Sequence, residues 1–447
     1  MLLKSPKGEK LVICEPVRTP IGQAGKSLSS FESYELGTMA LEEIFKRSGV
    51  DKKHVDGIVA GEIGQSSRAP NVARVMAVKA NLPLQSTAVT VANNCVSGYE
   101  AVVDGARRLI TGEGELYAVV GLESMSRFGF YLKGTDQAKF SSVDKLKKNW
   151  NEALEGGVDI VDSVEEGLTD PIRHLNMAMT GEVAAQNYAL KKADLDEYAY
   201  ESYRKAYEAI KAGKYRSYQM SVKHDDGVLE DDEYIMSKTG MVENKDRFAR
   251  ASVIFDSKWM SLKEFYDKYK DWIKVPYQEG KSEAAVTLFN ACPRSDGSGA
   301  LFVATEGKAR ALGLNPVAAI KSWGMYGVDP AYMGIGMAFA MNKAREVAGM
   351  EWKDIEGYEI HEAFAATALG SMREVKKSYG FDLEEANKAG KVNPHGGTLA
   401  LGHPLGATGI RVIINQLMHM KEKGISNCLG TICAGGGVGG AILLEAI

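Results

Sequence analysis

Cysteine is scarce in this sequence, and none of it is paired by spacing. The five cysteines, Cys14, Cys95, Cys292, Cys428 and Cys433, are odd in number and nowhere form C-x-x-C. That argues against a disulfide framework and for a reducing compartment. Long apolar runs are missing as well. None approaches the ~18 residues a membrane-spanning helix needs, so no transmembrane segment is expected. Excess charge is absent: 54 basic residues stand against 58 acidic ones, a net charge of −4. No basic stripe points to nucleic acid. The opening residues, MLLKSPKGEKLVICEPVRTP, hold no uninterrupted apolar segment and no small-residue cleavage site. Neither a secretory signal nor a transit peptide is expected there, and the expected location is cytoplasmic.

What the sequence does have is glycine, 48 in 447 residues, as suits a chain of tight turns and backbone-lined sites. The length allows two or three domains and a large core. Residues 10–125 alternate short apolar runs (Leu11–Cys14, Val55–Ala60, Ala88–Ala92, Leu116–Val120) with helical patterns (Tyr34–Ser48, Pro70–Ala80, Ser97–Ile110). That is an α/β rhythm. It returns over 306–447, with runs at Val317–Ser322, Gly357–Ile360, Cys428–Ile432 and Ala441–Leu444 between helices such as Ile335–Ala348 and Ala407–Lys423. Each half places a cysteine beside a glycine-rich element, which reads as a remote duplication by topology. Residues 126–282 break the rhythm. They are rich in Lys, Asp, Glu and Tyr and predict helices over Lys145–Leu154, Met179–Tyr188, Ala193–Ala212 and Leu262–Tyr269. This stretch reads as an insertion, either a stabilising excursion or a lid over the first half.

Four residues stand at strand ends or glycine-rich turns. Cys433 opens CAGGGVGG, where glycines let backbone N–H groups approach a ligand. Cys95, in VANNCVSGYEAVVDGARRL, lies between an apolar run and a helix. A helix N-terminus favours thiolate over thiol, so a lowered pKa is expected for Cys95. His361 follows Gly357–Ile360 in HEAFAATALGSM, and His403 lies between glycines in GHPLGATGIRVI. Taken singly, each histidine is an ordinary turn residue. Together the four admit three chemistries. One is a cysteine nucleophile with a second thiol as proton carrier. A zinc site is another, although structural zinc ligands come in closely spaced pairs and these do not. A papain-like protease is the third, but it leaves the second framed cysteine and the two matching halves unexplained.

The motifs NNCVSG, HEAFAA, GHPLGATG and CAGGGVGG resemble the four motifs of the thiolase family. PVRTPIG (Pro16–Gly22), GLTDP (Gly167–Pro171), SDGSGALFV (Ser295–Val303) and VNPHGGTLALGHP (Val392–Pro404) fall in the family's order. The resemblance implies an α/β thiolase fold: two duplicated αβαβα halves in a five-layered core, with an inserted, mainly helical loop domain. The division expected is 1–125 for the first half, completed by 283–305, then 126–282 for the inserted domain and 306–447 for the second half.

The resemblance further implies catalysis by Cys95 as nucleophile, His403 as its base, Cys433 as second acid/base, and His361 where many thiolases have asparagine. The backbone N–H groups of Cys95 and Gly435 would form an oxyanion hole, and Met177, Met333 and Phe364 would line the acyl pocket. No metal and no permanently bound cofactor are implied, with coenzyme A (CoA) as substrate.

The HEAF variant is similar to the β-subunits of fatty-acid oxidation complexes. It therefore implies thiolytic cleavage of 3-ketoacyl-CoA, a homodimer or homotetramer, and a hydratase/dehydrogenase partner subunit. The alternatives are an acetoacetyl-CoA-forming biosynthetic thiolase and a non-catalytic acyl-CoA-binding relative. A decarboxylating ketoacyl synthase typically uses one cysteine and two histidines, and Cys433 argues against it. The family's usual leucine-arginine-proline segment before the last strand of the first half is not found here.

Overall fold

Apolar alternation along four strands decides the layering. The computed structural model describes residues 3–134, 142–255 and 260–447. Its strands, in chain order, are β1 (Leu11–Arg18), β2 (Gly22–Gln23), β3 (Gly57–Gly61), β4 (Thr87–Val91), β5 (Leu116–Ser124), β6 (Phe130–Lys133), β7 (Asp159–Asp162), β8 (Val222–His224), β9 (Gly227–Leu229), β10 (Ser295–Thr305), β11 (Pro316–Gly327), β12 (Gly357–Ile360), β13 (Asn427–Ala434) and β14 (Val438–Glu445). Leu11, Ile13, Val59, Tyr117, Val119, Leu301 and Val303 point to one core. Val12, Cys14, Ile58, Ala60, Ala118, Val120, Ala300 and Phe302 point to another. A period of two thus buries both faces of the first sheet, each under its own helices.

On the outer face lie the helices Ser33–Ser48 and Val72–Lys79, through Leu41, Ile44, Val72 and Met76. On the inner face lie two helices that touch each other, Ser97–Thr111 and Thr408–Lys423. Both also reach the second sheet, whose far face carries the helix Gly336–Ala348. Helices, sheet, paired helices, sheet, helices: these are the five layers the motifs implied.

The two halves match strand for strand. In the first, the order is β4-β3-β5-β10-β1; in the second, β12-β13-β14-β11. A parallel bridge from Tyr358 in β12 to Val392 takes the place of the β3–β4 pairing. Each half pairs its first two central strands in parallel (β3–β5, β12–β13), as β3 does with the edge strand β4, and the remaining pairs are antiparallel (β5–β10, β1–β10, β13–β14, β11–β14). β10 comes after the insertion and returns to sit between β5 and β1. Edge strands β1 and β11 then pair antiparallel and join both sheets into one ladder.

The insertion departs from expectation in two ways. Lys145–Leu154 is not one helix but two, Val143–Lys148 and Trp150–Glu155. The break falls at Asn149, whose side-chain amide donates to the Lys145 carbonyl at 3.0 Å. A short polar side chain offers the backbone an alternative bond and lowers the helix's advantage. The second departure is two small antiparallel strand pairs, β6–β7 and β8–β9, whose four- and three-residue strands leave too short a pattern to read. The helices Met177–Asn187, Lys192–Lys211 and Leu262–Lys268 stand close to where their periodicity puts them. Among the described residues no helix is long and apolar enough to cross a membrane.

Candidate active site

Two helix N-termini bring the sequence motifs together. Cys95 sits one residue before the N-cap Val96 of Ser97–Thr111. The turn is held by Ser97, whose hydroxyl donates to the Asn94 carbonyl at 2.7 Å and accepts the Asn93 N–H at 2.8 Å. Asn94 takes φ +46°, which asparagine tolerates better than most residues. The partner helix, Thr408–Lys423, begins just after His403. These helix starts touch because both carry glycine. A Cβ on Gly409 would stand 2.4 Å from the Tyr99 nitrogen, and one on Gly98 would stand 2.5 Å from the Gly406 carbonyl.

The second half, which also holds His403, supplies the other two residues from neighbouring strand ends. Cys433 ends β13, and His361 follows β12, its N–H donating to the Thr431 carbonyl at 2.9 Å. The turn after Cys433 reaches across to the first half, where the Asn94 side-chain amide donates to the Gly435 carbonyl at 2.8 Å.

The geometry assigns protons. The His403 Nδ1 lies 2.7 Å from the Thr408 hydroxyl, and that hydroxyl donates to the Pro404 carbonyl at 2.9 Å. Thr408 therefore accepts from His403, which places the ring proton on Nδ1. Nε2 is buried without a partner and carries a free lone pair. His361 turns its Nδ1 to the Cys433 sulfur at 3.4 Å, and its ring lies 4.5 Å from that of His403, centroid to centroid. Burial, helped by the Arg411 charge, lowers the His403 pKa to about 3. Burial, the neighbouring His403 and Arg411 push His361 well below its usual value too. Both rings rest neutral.

The thiols correct the expectation of a lowered pKa. Burial raises Cys95 to about 11, although the Gly435 N–H and its own N–H point at the sulfur and favour thiolate. Cys433 is raised further in direction, by burial and by the Cys95 and Cys292 thiols beside it. Desolvation outweighs the helix terminus, because the terminal effect is worth only ~0.3–1 kcal/mol where it is exposed. At rest the site holds two neutral thiols and two neutral imidazoles.

These groups meet in a cavity of about 160 Å³ lined by Cys95, His403, Cys433, Met177, Met333 and Phe364. The three apolar residues arrive from separate places: Met177 at the start of the helix Met177–Asn187, Met333 in the 3₁₀ turn Pro330–Ile335, and Phe364 ahead of the helix Ala365–Tyr379. His361 stands behind this wall, against Cys433. The arrangement can activate one thiol through a neutral base, hold an oxyanion with backbone N–H groups, and pass a proton through the second thiol.

The thiolase N-terminal domain model matches residues 11–257, and the thiolase C-terminal domain model matches 314–446. This chain belongs to the thiolase family. It is 32% identical over 442 residues to an acetyl-CoA acetyltransferase of Rhizobium meliloti, covering 97% of this chain and 98% of that one. A probable acetyl-CoA acyltransferase of Staphylococcus epidermidis is 30% identical, with 98% of both chains covered. The solved structure of human mitochondrial 3-ketoacyl-CoA thiolase in complex with CoA superposes with a TM-score of 0.81 at 26% identity, covering 98% of both chains. The molecule has the thiolase fold and is an acyltransferase.

Three parts of this thiolase site escaped sequence reading. Cys292 lines the same cavity, and burial beside Cys95 raises its pKa to about 12. Nothing in ACPRSDG frames it with glycine. Thr408, which sets the His403 tautomer, is one hydroxyl among many. Glu123 is buried at the end of β5 and accepts the Ile63, Gly64 and Gly406 N–H groups at 3.2, 2.8 and 3.0 Å. It ties the turn after His403 to the loop after β3, and burial lifts its pKa to about 7. A lone acid within the apolar run LYAVVGLES was the available signal.

Proposed function

We propose that this chain cleaves 3-ketoacyl-CoA with CoA, giving acetyl-CoA and a shortened acyl-CoA through an acyl-Cys95 intermediate. The observation that carries the reading is the meeting of Cys95, Cys433 and His403 around one cavity, with His361 behind Cys433 and His403 Nε2 left free. His403 takes the Cys95 proton, and the thiolate attacks the 3-keto carbon. Collapse of the tetrahedral adduct breaks the C2–C3 bond. The acetyl-CoA enolate that leaves takes the Cys433 proton. CoA thiol then returns a proton to Cys433 and attacks the acyl group on Cys95, and His403 gives its proton back to the released Cys95 thiolate. The Cys95 and Gly435 N–H groups, which point at the sulfur, lie where an oxyanion on the attached carbon develops. His361 holds the Cys433 thiol in position at 3.4 Å.

CoA enters this scheme as a substrate, as the CoA complex of the human relative supports, and no bound cofactor or metal takes part. The HEAF motif supports a place in fatty-acid β-oxidation, a homodimeric or homotetrameric assembly and a hydratase/dehydrogenase partner. Similarity to the acetyl-CoA acetyltransferase of Rhizobium meliloti supports a second reading equally, acetyl transfer in the acetoacetyl-CoA-forming direction. The same residues serve it in reverse, with Cys433 taking the α-proton of acetyl-CoA.

Cys433→Ala tests the division of labour. It is expected to acylate at Cys95 yet turn over at least about 10²-fold more slowly, having lost the second acid/base. Near-parent steady-state thiolysis by this variant would refute the role of Cys433.

A further inference from the structure

Cys95 stands where two cavities meet. The first is the 160 Å³ space with His403 and Cys433. The second is a smaller arm of about 50 Å³, lined by Ile63, Met125, Phe128, Val164, Leu168 and Leu405 as well as Cys95 itself. Ile63, Phe128 and Val164 line this arm and not the space that holds His403, while Met125, Met177, Leu168, Leu405 and Gly435 border both. Met125, Val164 and Leu405 form a separate buried apolar cluster there, with Phe128, Leu168 and Cys95 packed against it.

The proposed substrate has the same forked shape. Two groups leave its 3-keto carbon: the thioester arm, which carries CoA, and the acyl residue that stays on Cys95. The thioester arm must lie with Cys433, which exchanges a proton with its α-carbon. That leaves the apolar arm for the acyl residue and puts Met333 and Phe364, expected in the acyl pocket, on the thioester side, with Met177 bordering both. Its volume admits roughly four atoms, counting ~10–15 Å³ each.

We infer that the Ile63–Phe128–Val164 arm receives the acyl residue and restricts this enzyme to short acyl groups, with Phe128 setting the limit. The inference rests on the acyl-Cys95 reading above. Phe128 is fixed from two sides. Its ring lies directly over Gly64, where an added Cβ would fall 1.7 Å from a ring carbon. The next residue, Gly129, offers its carbonyl to the Ser163 hydroxyl at 2.5 Å, which anchors the segment to the insertion beside Val164. A wall pinned in this way does not yield readily to a longer chain, since closely packed side chains resist displacement.

The test is half-transfer. An acyl-CoA acylates Cys95 directly: the Cys95 S–H and the CoA thioester bond break, the acyl–Cys95 bond forms, and CoA leaves as the thiol. Rates of adduct formation are read by intact mass with acetyl-, butyryl-, hexanoyl- and octanoyl-CoA. The parent is expected to acylate with the first two and at least about tenfold more slowly with octanoyl. Phe128→Ala and Val164→Ala should each raise the octanoyl-to-acetyl rate ratio by about tenfold, and Phe128→Trp should lower the butyryl-to-acetyl ratio. Octanoyl transfer as fast as acetyl in the parent, or ratios unmoved in all three variants, would overturn the inference. No Cys95 adduct with any acyl-CoA would instead overturn the acyl-enzyme reading beneath it.

Discussion

The resting state of Cys95 sets the chemistry of the site. A thiol raised to about 11 is almost wholly protonated at neutral pH, so nucleophilicity has to be generated when substrate is bound. His403 is built for that. Its Nδ1 proton is committed to Thr408, which leaves Nε2 as the acceptor. Because burial lowers the His403 pKa and raises that of Cys95, the transfer is uphill at rest and has to be coupled to attack on bound substrate. Alkylation of Cys95 by iodoacetamide is therefore expected to rise about tenfold per pH unit from pH 6 to pH 10, because only thiolate reacts. The sign follows from the direction of the shift: a raised thiol pKa means that the reactive form is still being gained at pH 10. Rates from mass-resolved Cys95 peptides that level off by pH 8 would show an ordinary or lowered pKa instead. Sequence alone pointed the other way, because a helix N-terminus is visible in a pattern and desolvation is not. For the same reason Cys292, which has no motif around it, stayed hidden, while Cys95, His403 and Cys433 stood out by nearby glycines and His361 by its place at a strand end.

Contact between helix starts joins the two halves of the site. Gly98 and Gly409 have no side chain to hold Ser97–Thr111 and Thr408–Lys423 apart, and Cys95 and His403 flank that contact. Gly409→Ala would put a methyl 2.4 Å from backbone that cannot swing away. A loss of about 1–3 kcal/mol or more is expected in denaturant unfolding, with thiolysis falling further than the stability loss alone explains. Unchanged stability and activity would show that the crossing is not held that closely. Helices and strands of the repeated halves were legible because their periods are long. The β6–β7 and β8–β9 strand pairs and the break at Asn149 were not, since the pairs rest on three or four residues a strand and the break on one side-chain bond.

At the scale of the molecule, duplication places one framed thiol in each half, Cys95 in the first and Cys433 in the second, while both histidines come from the second. Strand ends β4 and β13 carry Cys95 and Cys433, and the pairing of β1 with β11 locks the halves in one register. This doubling was readable as a repeated α/β rhythm, although β10 had to be fetched from beyond the insertion to complete the first sheet. The central claim is that Cys95 carries the acyl group between substrate and CoA. The most direct measurement is intact mass analysis after brief incubation with acetyl-CoA or a 3-ketoacyl-CoA, for the parent and for Cys95→Ala. A gain of one acyl group in the parent, reversed by added CoA and absent from Cys95→Ala, is the expected result. The same gain in Cys95→Ala, or none in the parent with either substrate, would contradict it.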